Sequence, residues 1–183
     1  MAEAIRPLVT WYNSTHSQEV VGPYDFEVVD AGDLSKMVTF NIWNNRNGST
    51  DVGKMTECRI STRDMKGGLG DTVDNIVEVV KDNWFHAQVD SLGETDISLP
   101  SSRIGKDFEK PVGTTGSTTK NYKGEDLHEP LTPAAQEVLG VNNNGNPQDA
   151  AGNFITVSLQ AEVPLNASSG RQDFKIRLYY KYT

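Results

Sequence analysis

The sequence predicts an all-β fold, namely an antiparallel β-sandwich of the jelly-roll or Ig/C2-like kind with a long loop insertion and one short helix. The first reason is that several segments alternate between apolar and polar residues, as a strand with one buried face does. The second is the content of turn formers, with 16 Gly and 8 Pro, which suits short strands joined by turns. Clean alternation also favours antiparallel sheets with one face in solvent. We expect residues 1–183 to form a single domain.

The strongest alternation lies in two segments near the C-terminus. In the first, the residues predicted to share one face are Ile155, Val157, Leu159, Ala161 and Val163. In the second, Phe174, Ile176, Leu178, Tyr180 and Tyr182 alternate with Lys175, Arg177, Tyr179 and Lys181. The polar stretch between them contains Gly170, which favours a turn. The two segments are therefore predicted to pair as a hairpin.

Further strands are predicted upstream. Alternation indicates short strands around Val9 to Trp11 and Phe26 to Val28, and a longer pair in the stretch from Met37 to Thr62. In that pair, Val38, Phe40 and Ile42 share one face, and Cys58 and Ile60 lie on the neighbouring strand. The residues of the second strand expected to face water are Glu57, Arg59, Ser61 and Arg63, while Met55 is out of phase with Cys58.

The polar run NNRNGSTD joins the two strands of the longer pair. Its Asn45, Asn47 and Asp51 fall at alternate positions, as the oxygen ligands of a calcium loop do. Only Asp51 among them is anionic, and calcium prefers a larger set of oxygen ligands. We therefore interpret the run as a strand connection whose Asn and Gly residues adopt left-handed conformations, and no metal site is predicted.

The middle of the chain departs from clean alternation. Residues 72–81 fit a short helix or an irregular loop, and a strand is predicted over 83–90. A helix of about two turns is predicted after Thr132, with Pro133 at its first position and Gly140 at its end. The rest of residues 91–152 reads as a loop insertion. Long ordered loops are commonly functional, so we expect a partner to bind there.

Composition narrows the classes of partner. The net charge of −8 repels phosphate backbones, and no run of Lys and Arg residues opposes this effect, so we do not expect nucleic acid. Cys58 is the single cysteine, which excludes an internal disulfide. The sequence contains neither the pattern of a conventional secretion signal nor a run of apolar residues long enough for a membrane anchor, so no membrane is expected.

Catalytic patterns are equally sparse. His16, His86 and His128 are isolated from one another, and no nucleophile elbow of the form G-x-S-x-G occurs. Carboxylates are plentiful, but a glycosidase needs two at a fixed separation. We predict no catalytic residue, no cofactor and no enzymatic activity. The alternative function is a carbohydrate-binding module that stacks Trp43 or Trp11 against a sugar ring, and a polysaccharide-degrading enzyme is less favoured.

The segments WYNS, NIWNNRNG and FKIRLYYKYT resemble β-sandwich virion proteins of tailed bacteriophages. The resemblance implies a non-enzymatic structural part of a phage particle: a coat or capsid decoration, or a collar, tail or baseplate accessory protein. It implies synthesis in the host cytoplasm, incorporation into the virion, and docking onto other virion proteins or further copies of the chain in a symmetric assembly.

Partner-binding residues are predicted on the insertion and at one strand end. Trp43 is out of phase with Phe40 and Ile42, so its ring points to the opposite face or lies at the end of the strand, where we expect it to be exposed for recognition. The complete set of predicted docking residues is Trp43, Ile97, Leu99, Phe108, Tyr122 and Leu127.

Overall fold

The computed structural model describes residues 5–183 and is an all-β fold built from several antiparallel sheets. Its strands are β1 (Val9–Asn13), β2 (Val38–Asn44), β3 (Met55–Asp64), β4 (Asp71–Thr72), β5 (Asn75–Ile76), β6 (Phe85–Gln88), β7 (Arg103–Ile104), β8 (Lys110–Pro111), β9 (Thr118–Lys120), β10 (Asp126–Leu131), β11 (Phe154–Ala161) and β12 (Phe174–Tyr182). The single α-helix among the described residues is α1 (Glu78–Lys81), and short 3₁₀ turns cover Asp90–Leu92, Pro100–Ser102 and Ala151–Asn153. None of these helices has the length and hydropathy needed to span a membrane.

Two sheets supply most of the core. The five-stranded sheet has the order β1-β2-β11-β6-β7, and the three-stranded sheet has the order β12-β3-β8. Strands β9 and β10 pair separately, as do β4 and β5. Side chains of both larger sheets meet in one hydrophobic cluster, to which the insertion adds Ile104, Val112 and Val138, all fully buried. The insertion is therefore part of the packed body of the protein.

An aromatic side chain from the segment between β1 and β2 connects the two sheets. The ring centre of Phe26 lies 4.9 Å from that of Phe85 in β6 and 6.1 Å from that of Phe174 in β12. Phe26 belongs to no strand, so the strand predicted from Phe26 to Val28 is wrong. Val28 next to it is almost fully exposed. Residues 26–28 are therefore held by the Phe26 side chain that enters the core rather than by a ladder of backbone hydrogen bonds.

The faces of the two C-terminal strands were predicted correctly, but their pairing was not. In β11, Ile155, Val157 and Leu159 are fully buried, and the alternate apolar residues of β12 pack against the same cluster. The predicted hairpin is wrong, because β11 pairs with β2 and β6 whereas β12 pairs with β3. The polar stretch between them carries the chain from one sheet to the other.

Strands β2 and β3 also lie in different sheets, so their predicted pairing is wrong. A β-bulge in β3 explains why Met55 is out of phase with Cys58 in the alternation of buried residues. Arg59 pairs with Tyr179 and Thr56 with Lys181, so β3 contains one residue more than β12 over this interval. Glu57 has a positive φ of 53° there. The extra residue shifts the period of two, and Met55 and Cys58 are both fully buried.

The predicted solvent face of β3 is only half correct. Glu57 and Arg59 are exposed, whereas Ser61 and Arg63 are buried. The turn between β7 and β8 covers them, since Ser61 Oγ lies within hydrogen-bonding distance of the carbonyl oxygens of Gly105 and Phe108, at 2.9 and 2.7 Å. An insertion distant in sequence thus buries polar positions that the alternation assigns to solvent.

Of the two helical predictions, the first is supported and the second is wrong. The helix α1 and strand β6 fall within the regions predicted as helix or loop and as strand. No helix follows Pro133. Gln136 instead adopts a left-handed φ of 57°, and Val138 forms a β-bridge with Met55. Pairing with the edge of the sheet overrides the local helix signals.

The polar run after β2 anchors the insertion. Asn45 and Asn47 adopt left-handed φ angles of 61° and 55°, as predicted for this connection. Asn45 Nδ2 donates to the carbonyl oxygens of Thr50, Gly140 and Val141, at 2.8, 2.8 and 3.3 Å. In return, Asn143 Nδ2 donates to the carbonyl oxygen of Asn45 at 2.8 Å. These buried amides satisfy backbone groups that no sheet ladder reaches.

The thiol of Cys58 gives a direct test of the packed core. Burial, together with the nearby negative charge of Glu137, raises the pKa of Cys58 to about 12. Because the thiolate is the reactive species, we expect a disulfide reagent at pH 8 to label the native protein at least ~100-fold more slowly than the protein in urea. Stopped-flow absorbance measures both rates, and a Cys58→Ser variant supplies the blank. Equal rates in the two conditions would contradict the burial of Cys58.

Candidate functional site

The outer face of the three-stranded sheet collects basic side chains from β3 and β12. We call it the basic face and define it as Arg59, Arg63, Lys175, Arg177, Tyr179 and Lys181. On β12, Phe174, Ile176, Leu178 and Tyr180 pack against the core, so the alternate residues lie on the other side. The strand register places Lys175 opposite Arg63 and Tyr179 opposite Arg59. The face therefore extends from β12 onto β3, where Arg59 is exposed and Arg63 lies beneath the turn between β7 and β8.

A single aromatic ring organises the basic face. The guanidinium carbons of Arg59, Arg63 and Arg177 lie 5.9, 5.3 and 5.5 Å from the ring centre of Tyr179. A cation at this distance from an aromatic ring is attracted by the electron density of the ring. The three guanidinium groups therefore share one ring, and Glu109 bridges two of them, Arg59 and Arg63.

Carboxylates neutralise only part of this charge. Glu109 accepts hydrogen bonds from Arg59 Nη1 at 2.7 Å and from Arg63 Nη2 at 2.8 Å. Glu57 pairs with Lys181, with the Oε1 and Nζ atoms 2.7 Å apart. Within residues 5–183, neither Lys175 nor Arg177 has a carboxylate within ion-pair distance. The basic face is therefore a positive region on a chain whose net charge is −8.

The turn after β3 borders the basic face and is fixed by Asp64. The carboxylate of Asp64 accepts backbone N–H bonds from Lys66, Gly68 and Gly70, at 2.8, 2.9 and 3.1 Å. Burial alone raises the pKa of Asp64, but these N–H bonds outweigh it and the pKa is lowered. A Cβ atom at Gly67 would lie 3.0 Å from Arg177 Nη2, so the guanidinium group of Arg177 lies against this turn.

A shallow depression lies at the β-bulge of the basic face. It has a volume of about 320 Å³ and is open to solvent. Its lining residues are Glu57, Arg59, Arg177, Leu178, Tyr179, Tyr180 and Lys181. Small ligands are normally enclosed on most sides by apolar walls, whereas this depression is open and charged. Its form suits contact with a protein surface better than capture of a small molecule.

Trp43 is not available for recognition. Its ring points to the face opposite Phe40 and Ile42, as predicted, but it is 0% exposed, so the expectation of an exposed recognition residue is wrong. His16 covers it, with Nδ1 accepting a hydrogen bond of 3.0 Å from Trp43 Nε1. Phe154 packs on it with a ring-centre distance of 4.5 Å. Alternation assigned the correct face but did not reveal the loop that closes over it.

The other predicted docking residues lie on separate segments of the insertion. Leu99, Phe108 and Tyr122 are 48%, 47% and 45% exposed, while Ile97 and Leu127 are half-buried. Leu99 precedes a 3₁₀ turn, Phe108 lies in the turn between β7 and β8, and Tyr122 lies between β9 and β10. Their role in docking stays a prediction.

The histidines do not form a catalytic or metal-binding group. His16 contacts Trp43, and buried His86 has Nε2 2.9 Å from Glu162 Oε2. His128 lies on β10 at an exposed position. The described part of the chain contains no group of three or more His, Cys, Asp or Glu residues arranged to hold a metal ion.

The environment of His16 leads us to expect that the folded protein loses stability in acid. Burial and the nearby guanidinium group of Arg46 lower the pKa of His16 below its ordinary value of 6.5. The unfolded chain therefore binds a proton first as the pH falls, so stability decreases from pH 6.5 down to the lowered pKa of the folded protein. His16→Asn keeps an acceptor for Trp43 and tolerates the φ of 58°. Urea unfolding at pH 7.5 and 5.0 should show a smaller acid loss in this variant, and an equal loss would contradict the role of His16.

Comparisons with known proteins do not identify the chain. We find no significant match to a family model, to a curated protein or to a solved structure. The functional proposal therefore depends on the geometry of the basic face. Sequence reasoning missed this face because its cations come from β3 and β12, which are separated by most of the chain. The alternation of Lys175, Arg177 and Lys181 along β12 was the one available signal.

Proposed function

We propose that the protein is a non-enzymatic structural subunit that docks onto an acidic surface of another protein through its basic face. The observation that carries this proposal is the collection of Arg59, Lys175, Arg177 and Lys181 on one outer sheet surface of an otherwise acidic chain, beside the buried Arg63. Such a charge distribution steers an acidic partner toward this face and repels it elsewhere.

The composition of the basic face supports docking to a protein. Arg and Tyr are enriched at protein interfaces and among their energetically important residues. The guanidinium groups around Tyr179 are held in place before binding, which lowers the entropy lost when they pair with carboxylates. The carbohydrate-binding alternative has no such support. Trp43 and Trp84 are buried, and Trp11 is half-buried against Phe40.

The resemblance to virion proteins of tailed bacteriophages makes the proposal more specific. We propose that the chain is a coat or capsid decoration, or a collar, tail or baseplate accessory protein, within a symmetric assembly. Leu99, Phe108 and Tyr122, the exposed members of the predicted docking set, would supply additional contacts. Mass spectrometry of purified phage particles tests this assignment. We expect the chain among the particle proteins, and its absence would overturn the virion assignment.

Charge-reversal variants test whether docking depends on the basic face or only on the net charge of the chain. We expect a Lys175→Glu/Arg177→Glu double variant, expressed in infected cells, to be incorporated at least ~10-fold less than the wild type. The two substitutions replace cations by anions, which repel the acidic surface of the partner. Quantitative mass spectrometry of the particles measures incorporation.

Arg6→Glu/Lys36→Glu is the matched control for this experiment. It changes the net charge equally at exposed positions outside the basic face, and we expect it to be incorporated like the wild type. Circular dichroism confirms that both variants keep the β fold. Equal incorporation of the two double variants would show that the basic face does not dock.

A further inference from the structure

Within residues 5–183, the edge of the three-stranded sheet formed by β12 has no backbone partner. All nine residues of β12 (Phe174–Tyr182) face only β3. In the described part of the chain, no isolated bridge and no other backbone or side-chain hydrogen bond reaches the main chain of these residues. A strand paired on one side leaves about half of its N–H and C=O groups directed outward. β12 therefore presents a free hydrogen-bonding edge along its whole length.

The other edges of the two larger sheets are short or covered. β7 and β8 contain two residues each. At β1, the chain folds back on its own edge, where Val20 N donates to the carbonyl oxygen of Trp11 at 2.8 Å and Tyr12 forms a bridge with Glu19. Proteins commonly protect sheet edges by such means. The long open edge of β12 is the exception in the two larger sheets, and β10 in the separate β9-β10 pair has an open edge of only six residues.

The charges beside this edge select what can pair with it. Lys175, Arg177 and Lys181 alternate along the outer face of β12. Two copies of β12 paired with each other would bring like charges together, which disfavours a dimer through this edge. A strand with carboxylates at alternate positions would instead face Lys175 and Arg177, which have no acidic partner within residues 5–183.

The core side of β12 also lacks cover at the edge. Ile176, Leu178 and Tyr180 pack on the core but are only half-buried. A strand added beside them would place apolar side chains at alternate positions next to these three residues and remove their remaining surface from water. The preferred partner thus alternates acidic and apolar residues.

We infer that β12 accepts an extended acidic segment of a partner protein as a fourth strand of the three-stranded sheet. This inference rests on the proposed docking function and specifies its mode. Backbone hydrogen bonds along the edge supply affinity that is independent of sequence, and alternate carboxylates on the basic face supply selectivity.

A defined peptide tests this mode of binding. The probe is the capped octapeptide of four Glu-Val repeats, titrated into the ¹⁵N-labelled protein. We expect chemical-shift changes at residues 174–182, and amide exchange in β12 slowed by at least ~10-fold at saturation. A four-repeat Lys-Val peptide is expected to bind at least ~10-fold more weakly, because it meets like charges.

A second peptide isolates the backbone contribution. In this peptide, the backbone amide nitrogens of every second residue are methylated. The methyl groups leave the charge of the Glu-Val peptide unchanged but remove the N–H donors that one of its edges would direct at β12. We test both sets of alternate positions and expect one set to weaken binding at least ~10-fold. Equal binding of both methylated forms and the unmodified peptide would overturn strand addition, as would the absence of any shift or exchange protection in β12. Docking through the basic face is judged separately by particle incorporation, so either proposal can fail without the other.

Discussion

Asn45→Ala is expected to lower the free energy of unfolding by about 3 kcal/mol, the combined effect of a left-handed alanine and the loss of the hydrogen bonds of the Asn45 amide, which is the one donor to the carbonyl oxygen of Thr50 within residues 5–183. The Asn45 side chain is 2% exposed, and its amide donates to the carbonyl oxygens of Thr50, Gly140 and Val141. Removing that amide weakens the attachment of the insertion to the connection that follows β2, while the bonds from Asn143 to the carbonyl oxygens of Asn45 and Gly48 remain. Urea unfolding with equal m-values for wild type and variant measures the loss.

Asn47→Ala is the matched control for this result. Asn47 has nearly the same left-handed φ, 55° against 61°, but its side chain is exposed. Its replacement therefore tests the backbone contribution alone, for which we expect about 1 kcal/mol. If the two variants lose equal stability, the hydrogen bonds of Asn45 do not hold the insertion in place.

Trp43→Ala is expected to destabilise the protein by about 4 kcal/mol, because it leaves a large cavity between His16 and Phe154. Trp43→Phe keeps an aromatic ring against Phe154 and loses the hydrogen bond to His16, for which we expect about 2 kcal/mol. Thermal and urea unfolding of both variants give the comparison. A loss below about 0.5 kcal/mol for Trp43→Ala is what an exposed residue would give, and it would contradict the burial of Trp43.

Periodicity predicted strand faces far better than strand partners. The buried face of β11, with Ile155, Val157 and Leu159, follows from local alternation, because burial of one face needs only a period of two. Pairing is a non-local property. The stretch from residue 162 to residue 173 could close a hairpin or cross to the other sheet, and both options have the same local sequence. The crossing is what the structure contains.

Local signals also fail where tertiary contacts compete with them. The helix signals at Thr132 and Pro133 are genuine, yet Val138 pairs with Met55. In the same way, one extra residue near Glu57 changes the phase of β3. The bridge leaves no mark on the sequence nearby, and the bulge leaves only the out-of-phase Met55, because the partner strand determines both.

The basic face could not be predicted from the sequence for a related reason. No run of basic residues occurs in the sequence, and the five cations of the basic face meet only when β3 and β12 pair. For Trp43, in contrast, the sequence predicted part of the outcome. Its position on the opposite face was predictable, but its burial depends on His16 and Phe154 from two other parts of the chain.

The order of pairing constrains how the protein is made. β2 ends at residue 44 and β3 at residue 64, yet their long partners β11 and β12 begin only at residues 154 and 174. Synthesis must therefore pass residue 161 before the larger sheet can close and residue 182 before the three-stranded sheet can close, and such high contact order slows folding. During this interval the apolar faces of β2 and β3 lack most of their cover, so high synthesis rates should favour aggregation over folding.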